Sequence, residues 1–82
     1  MPEVFVQLYL GGHLSWYDPQ KRKRIDVRLA QPTLLINVLR DLDLPVDEIA
    51  VGMVNGKSVF SLDDVTVTDA DKIELYPPVG GG

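Results

Sequence analysis

Only one stretch of this chain repeats its apolar residues at helical spacing. Leu35, Val38, Leu39 and Leu42 recur every three or four residues, which lines one side of an α-helix. Before it the rhythm is different. Val4, Val6, Leu8 and Leu10 alternate with Phe5, Gln7 and Tyr9, and Ile25, Val27 and Leu29 alternate with Asp26, Arg28 and Ala30. That period of two gives a strand one inward face. A lone amphipathic helix must bury its stripe against the sheet that such strands build, so the arrangement expected is one helix lying across one face of a sheet.

The rest of the chain extends this reading. Pro32-Thr33 opens the helix, expected over about 33–42, with Thr33 suited to cap its first N–H groups and Pro45 closing it. The nearly continuous apolar run from Ile49 to Val54 reads as a buried strand. Asn55-Gly56 is a strong signal for a tight reversal, and Lys57 to Phe60 returns from it. Ser61 to Thr68 is turn-like, with Leu62, Val65 and Val67 reaching the core. Asp69-Ala70-Asp71 makes a last turn before the final strand, Lys72 to Tyr76. The order is β-β-α-β-β-β, an α+β domain with a mixed sheet of four to five strands. A last strand parallel to the first is expected from compactness. The connection over 11–23 exceeds the usual hairpin loop; it reads as a protruding tip, or an extension of the strands, carrying Trp16, Tyr17 and Lys21-Arg22-Lys23-Arg24.

Composition removes several classes of function. Eighty-two residues make one domain, expected at 1–76 with a flexible tail over 77–82, and leave little apolar material for a deep cleft. No apolar run approaches the ~20 residues of a membrane span, and Met1-Pro2-Glu3 lacks the basic start of a signal peptide. A cytoplasmic location without membrane partners is expected. With no cysteine there is neither disulfide nor thiolate, and His13, beside Gly11-Gly12, reads as a turn residue. Asp41, Asp43, Asp47, Glu48, Asp63 and Asp64 read as solvated carboxylates in loops and at helix ends. The chain is therefore expected to bind no metal or cofactor of its own and to perform no catalysis alone. Residues 1–40 carry six Lys/Arg against three Asp/Glu, whereas residues 41–82 carry two against nine. The net charge of −4, without aromatic and basic residues interleaved, argues against a nucleic-acid partner. The basic run reads as a solvated hairpin end.

The remaining feature is Tyr76-Pro77-Pro78-Val79-Gly80-Gly81-Gly82. Two prolines stop ladder bonding and favour an extended path, and glycines offer no side chain to obstruct a narrow channel. Fully extended, the residues from Pro77 onward reach about 20 Å. Alternation also places Phe5, Tyr9, Arg28, Glu74 and Tyr76 on the outward face of the sheet, where Phe5, Tyr9, Arg28 and Tyr76 are candidates for partner binding.

In this order of elements, with Asp41-Leu42 ending the helix, Val54-Asn55-Gly56 after the third strand, Asp69-Ala70-Asp71-Lys72-Ile73, and Gly81-Gly82 at the end, the chain resembles the ubiquitin-like sulfur carriers, namely the molybdopterin-synthase small subunit and the thiamine sulfur carrier. It departs from them at Ala70, where the family usually has glycine. The resemblance implies a β-grasp fold. It also implies a carrier role for Gly82: an E1-like adenylating enzyme consumes ATP to activate the Gly82 carboxylate, and a sulfur donor converts it to a thiocarboxylate. Pro77, Pro78, Val79, Gly80 and Gly81 would thread into the partner. The implied recipients are the molybdopterin synthase large subunit, or a tungsten-cofactor counterpart, and alternatively thiazole synthase. A plain interaction module or a conjugated modifier is the competing reading.

Overall fold

The computed structural model describes residues 3–78. The alternation over the first segment forms β1 (Val4–Leu10), whose even-numbered residues are buried and whose odd-numbered residues are not. The second segment forms β2 (Arg24–Leu29), antiparallel to β1 with Val6 opposite Val27. The two-residue β3 (Thr33–Leu34) then leads into α1 (Leu35–Asp41). Beyond the helix come β4 (Val51–Val54), β5 (Lys57–Val59), the two-residue β6 (Thr66–Val67) and β7 (Lys72–Tyr76). The main sheet has the order β2-β1-β7-β4-β5, and β3 pairs with β6 in a small second sheet. The fold is the ubiquitin-like β-grasp: a mixed five-stranded sheet with one helix across one face.

The final strand is central. β7 runs parallel to β1, with Leu8 opposite Ile73, and antiparallel to β4, with Gly52 opposite Leu75. The inward residues of these strands meet the stripe of α1. Val6, Leu8, Leu10, Leu35, Val38, Leu39, Val67, Ile73 and Leu75 are all nearly or fully buried. Truncating a residue such as Leu39 to Ala would cost about 2–5 kcal/mol by opening a cavity that its neighbours only partly fill.

Four expectations from the sequence are corrected here. Thr33 does not cap the helix; it belongs to β3 and its hydroxyl donates to the Gln31 carbonyl. The first helical N–H, that of Leu35, instead donates to the Val65 carbonyl at 2.7 Å, because the β3/β6 pairing brings that oxygen to the helix end. Nor does Pro45 stop the helix. Asp43 takes a left-handed φ of 57°, and the N–H groups of Asp43 and Leu44 return to the carbonyls of Arg40 and Leu39, which is the Schellman closure. The run 49–54 is not a buried strand throughout: its strand portion is β4 only, and Val51 and Met53 lie on the uncovered sheet face. The 11–23 connection is not a protruding tip. Gly12–Tyr17 coils into a 3-10 turn whose Leu14 and Ser15 are buried.

Two turns hold the entry to β7. Asn55 and Gly56, with φ of 53° and 83°, make the reversal between β4 and β5. The Asn55 side chain donates to Asp71 Oδ1 and accepts from the Lys72 N–H, each at 2.9 Å. Asp69 Oδ1 accepts from the Phe5 N–H at 2.9 Å, and the Ala70 N–H donates to the Phe5 carbonyl at 2.8 Å. Ala70 keeps the turn with φ of 70°, a region that costs an ordinary L-residue roughly 1–2 kcal/mol. Glycine would remove that cost while adding about 0.5–1 kcal/mol of unfolded-chain entropy. Ala70→Gly should therefore stabilise the domain by about 0.5–1 kcal/mol, read as a higher denaturant midpoint at constant slope; a lower midpoint would contradict the turn geometry.

Candidate functional site

Alternation puts Phe5, Gln7 and Tyr9 of β1, Arg24, Asp26 and Arg28 of β2, and Lys72, Glu74 and Tyr76 of β7 on the sheet face opposite the helix. The register sets Arg28 beside Phe5, Arg24 beside Tyr9, and Tyr9 beside Glu74. The four candidate partner-binding residues share this face, but they do not form one cluster. Tyr9 and Tyr76 are together, with ring centroids 5.9 Å apart, and the Arg24 guanidinium lies 6.0 Å from the Tyr9 ring centroid. Phe5 and Arg28 sit about 13 Å farther along the strands, four residues away at strand rise. There Phe5 is 51% exposed and Arg28 Nε pairs with Glu3 at 3.4 Å. A shallow concavity of about 620 Å³ occupies the Tyr9 end, walled by Gln7, Tyr9, Asp26, Lys72, Glu74 and Tyr76. The Tyr76 hydroxyl donates to the Glu74 carboxylate, and that bond raises the tyrosine pKa.

Tyr76 is also where the tail begins. Its carbonyl accepts from the Ala50 N–H at 2.9 Å, and the Leu75 carbonyl accepts from the Gly11 N–H at 2.8 Å. The two glycines after β1 then explain themselves. A Cβ at Gly11 would lie 2.5 Å from Tyr76 Cδ1, and one at Gly12 would lie 2.7 Å from Pro77 Cγ. Only residues without side chains let the Tyr76 and Pro77 rings rest on this corner. Sequence reading took Gly11-Gly12 as turn punctuation; the signal for contact with residues 76–77 was absent because the pairing is 65 positions long in sequence, from 11 to 76. Pro77 is partly buried and Pro78 exposed. Val79, Gly80, Gly81 and Gly82 lie outside the described residues.

Beside this corner stands the 3-10 turn. His13 contacts the rings of Trp16 and Tyr17 with centroids 6.4 and 6.1 Å away, and its Nε2 is 3.5 Å from Glu48. The Tyr17 hydroxyl donates to Glu48, which raises the tyrosine pKa. The turn is closed by Asp18, 4% exposed, which accepts from Arg22 Nε and Nη2 at 3.1 Å each and from the backbone N–H groups of Gln20 and Arg22. No metal-binding group of three or more His, Asp or Glu side chains occurs among the described residues, and no described helix is long and apolar enough to cross a membrane. Phe60, fully exposed after β5, is an aromatic that the sequence reading assigned only to a strand.

No protein-family model matches the chain, and no curated protein matches it. Solved structures do. The Haloferax volcanii HVO 2177 protein superimposes with a TM-score of 0.72 at 19% identity, covering 98% of this chain and 88% of its own. SAMP1 from Haloferax volcanii gives 0.69 at 19% identity, covering 95% and 99%. The small archaeal modifier protein 1 from Methanosarcina acetivorans gives 0.65 at 15% identity, covering each chain fully. At these identities the likeness is one of fold, which this chain shares with the three proteins.

The Arg22 fork holds the Asp18 carboxylate down to about 2, below its unfolded value of about 3.9. A depressed folded pKa means stability that is complete above the unfolded value and lost as pH falls through the folded one. The melting-temperature difference between the unaltered protein and Asp18→Asn should therefore be widest above about pH 4 and close toward about pH 2. A difference that stays constant with pH would remove the ionised carboxylate from the account.

Proposed function

We propose that this protein is a ubiquitin-like carrier that acts through the carboxylate of Gly82, and that its first partner is an E1-like adenylating enzyme. The observation that carries the reading is the root of the tail. Among the described residues the body offers no catalytic constellation, yet it anchors Leu75 through Gly11 and Tyr76 through Ala50 and seats Pro77 on Gly12. A carboxylate is a poor electrophile until one oxygen becomes a leaving group, so the partner uses ATP to form the acyl-adenylate and releases pyrophosphate. A sulfide-level nucleophile then displaces AMP and leaves a thiocarboxylate. The sulfur would pass to a pterin precursor held by a molybdopterin or tungstopterin synthase large subunit, with thiazole synthase the alternative recipient. Tyr9 and Tyr76 form the part of the open face nearest the tail, and they are the contacts we assign to the activating enzyme; Phe5 and Arg28 would extend that contact.

A second reading follows from the comparisons: one neighbour is a small archaeal modifier protein. As a modifier, the same acyl-adenylate chemistry would end in an amide to a lysine of another protein. Both branches share activation at Gly82, and the acceptor separates them.

Incubation with ATP, an E1-like enzyme encoded by the same genome and sulfide should give an intact-mass increase of one sulfur replacing one oxygen. Removing Gly82, or replacing Gly81 with Val, should abolish the increase with a nearly unchanged melting temperature, since terminal residues contribute little burial. Tryptic peptides from cells with the segment from Ile73 to Gly82, left by cleavage after Lys72, attached to a lysine would favour the modifier branch. An equal mass shift without Gly82 would overturn the carrier reading.

A further inference from the structure

The 3-10 turn and the basic run behind it have no part in the chemistry above, yet they border the tail. Gly12 is the first residue of the turn and carries Pro77 on its Cα, so the turn that bears Trp16 and Tyr17 begins where residues 77–78 leave the sheet. Trp16 is 69% exposed and Tyr17 42% exposed. Exposed tryptophan and tyrosine of this kind are the side chains that most often anchor protein contacts, because each removes 150–250 Å² from water at low rotamer cost. Their platform is fixed from below. Leu14, Ser15 and Asp18 are buried, and the Asp18–Arg22 fork ties the end of the turn to the start of the basic run.

Charge completes the surface. Between Asp18 and Arg24 there are four cations and one anion, in a chain whose net charge is −4. Arg22 is spent on Asp18. Lys21 donates to the Trp16 carbonyl at 2.6 Å, a neutral acceptor that leaves its charge uncompensated and ties it to the aromatic. Lys23 is exposed beside it, and its carbonyl accepts from Leu10. Arg24 lies over Tyr9, whose ring meets Tyr76. Anions lie on the side nearer the tail root: Glu48 accepts from Tyr17 and is 3.5 Å from His13, Glu74 accepts from Tyr76, and Asp26 is exposed on the same face as Arg24. Lys21 and Lys23, with the one large aromatic Trp16, therefore form a short positive arc at the end of the turn.

We propose that Trp16, Tyr17, Lys21, Lys23 and Arg24 form a second contact surface for the enzyme that reacts with the tail, matched to an acidic rim with an apolar recess for Trp16. This rests on the carrier reading, and it names the chemistry of the partner. Any enzyme that takes in Gly82 must approach along the tail, so it meets this arc before the tail is seated. Positive charge there raises the encounter rate and makes it depend on salt, while Trp16 supplies the short-range anchor.

The test uses the full chain and the E1-like enzyme that charges it, with ATP–pyrophosphate exchange as the readout. Trp16→Ala should raise KM about tenfold with kcat nearly unchanged. Lys21→Glu combined with Lys23→Glu should raise KM at low salt and flatten the fall of kcat/KM with ionic strength, whereas Lys21→Arg with Lys23→Arg should behave as the unaltered chain. Melting temperatures check that each variant is folded. If the unaltered chain is charged but both variants keep KM within about twofold and the same salt slope, the second surface does not exist and the carrier reading stands. If the unaltered chain is never charged, both fall together.

Discussion

The parallel pairing of β1 with β7 is the interaction on which the rest of this structure depends. Parallel neighbours cannot be joined by a tight turn, so the chain between them must include a crossover of the sheet. Here that crossing includes α1, and the helix is laid over the inner faces of β1 and β7, where Leu8, Leu10, Ile73 and Leu75 are at most 1% exposed. β7 then receives β4 on its other side. A strand bonded on both edges is fixed in position and direction, and its end is a rigid point from which the tail starts.

The polar contacts serve the same pairing at its two ends. At the entry, Asn55 joins the β4–β5 turn to Asp71 and Lys72, while Asp69 and Ala70 bond Phe5 at the start of β1. At the exit, Gly11 and Ala50 donate to the last two carbonyls of β7. These bonds set register rather than supply bulk stability, since a net hydrogen bond contributes only about 0.5–1.5 kcal/mol. Register matters because a slip of one residue would turn Ile73 and Leu75 outward and Glu74 inward.

On the proposed reading, this division of labour suits a chain of 82 residues. A body so small spends its apolar residues on a single core and has little left for a water-excluded pocket. Presenting a carboxylate to another protein's active site demands less: a stable body, a surface to be recognised by, and an unobstructed connection between them. The open face and the 3-10 turn meet at Tyr76 and Pro77, so recognition and connection are adjacent.

The periodicities made the elements legible. Strict alternation over Val4–Leu10 and Ile25–Leu29, the helical spacing of Leu35, Val38 and Leu39, and Asn55-Gly56 each describe a local geometry that neighbouring residues decide among themselves. The outward placement of Phe5, Tyr9, Arg28 and Tyr76 followed from the same alternation. What the sequence could not hold was which distant backbone groups would meet. Thr33 lost its capping role because the β3/β6 pairing brought the Val65 carbonyl to the helix end. Gly11 and Gly12 became the seat of Tyr76 and Pro77 only once β7 lay beside β1. The 11–23 connection coiled against the body because Leu14 found the core. Local pattern determined the strands of the main sheet, the helix and the composition of the open face, whereas β3 and β6 had no signal of their own. Tertiary packing alone decided the caps, the turn and the tail seat, because each requires contacts between residues far apart in the chain, and such contacts have no period to read.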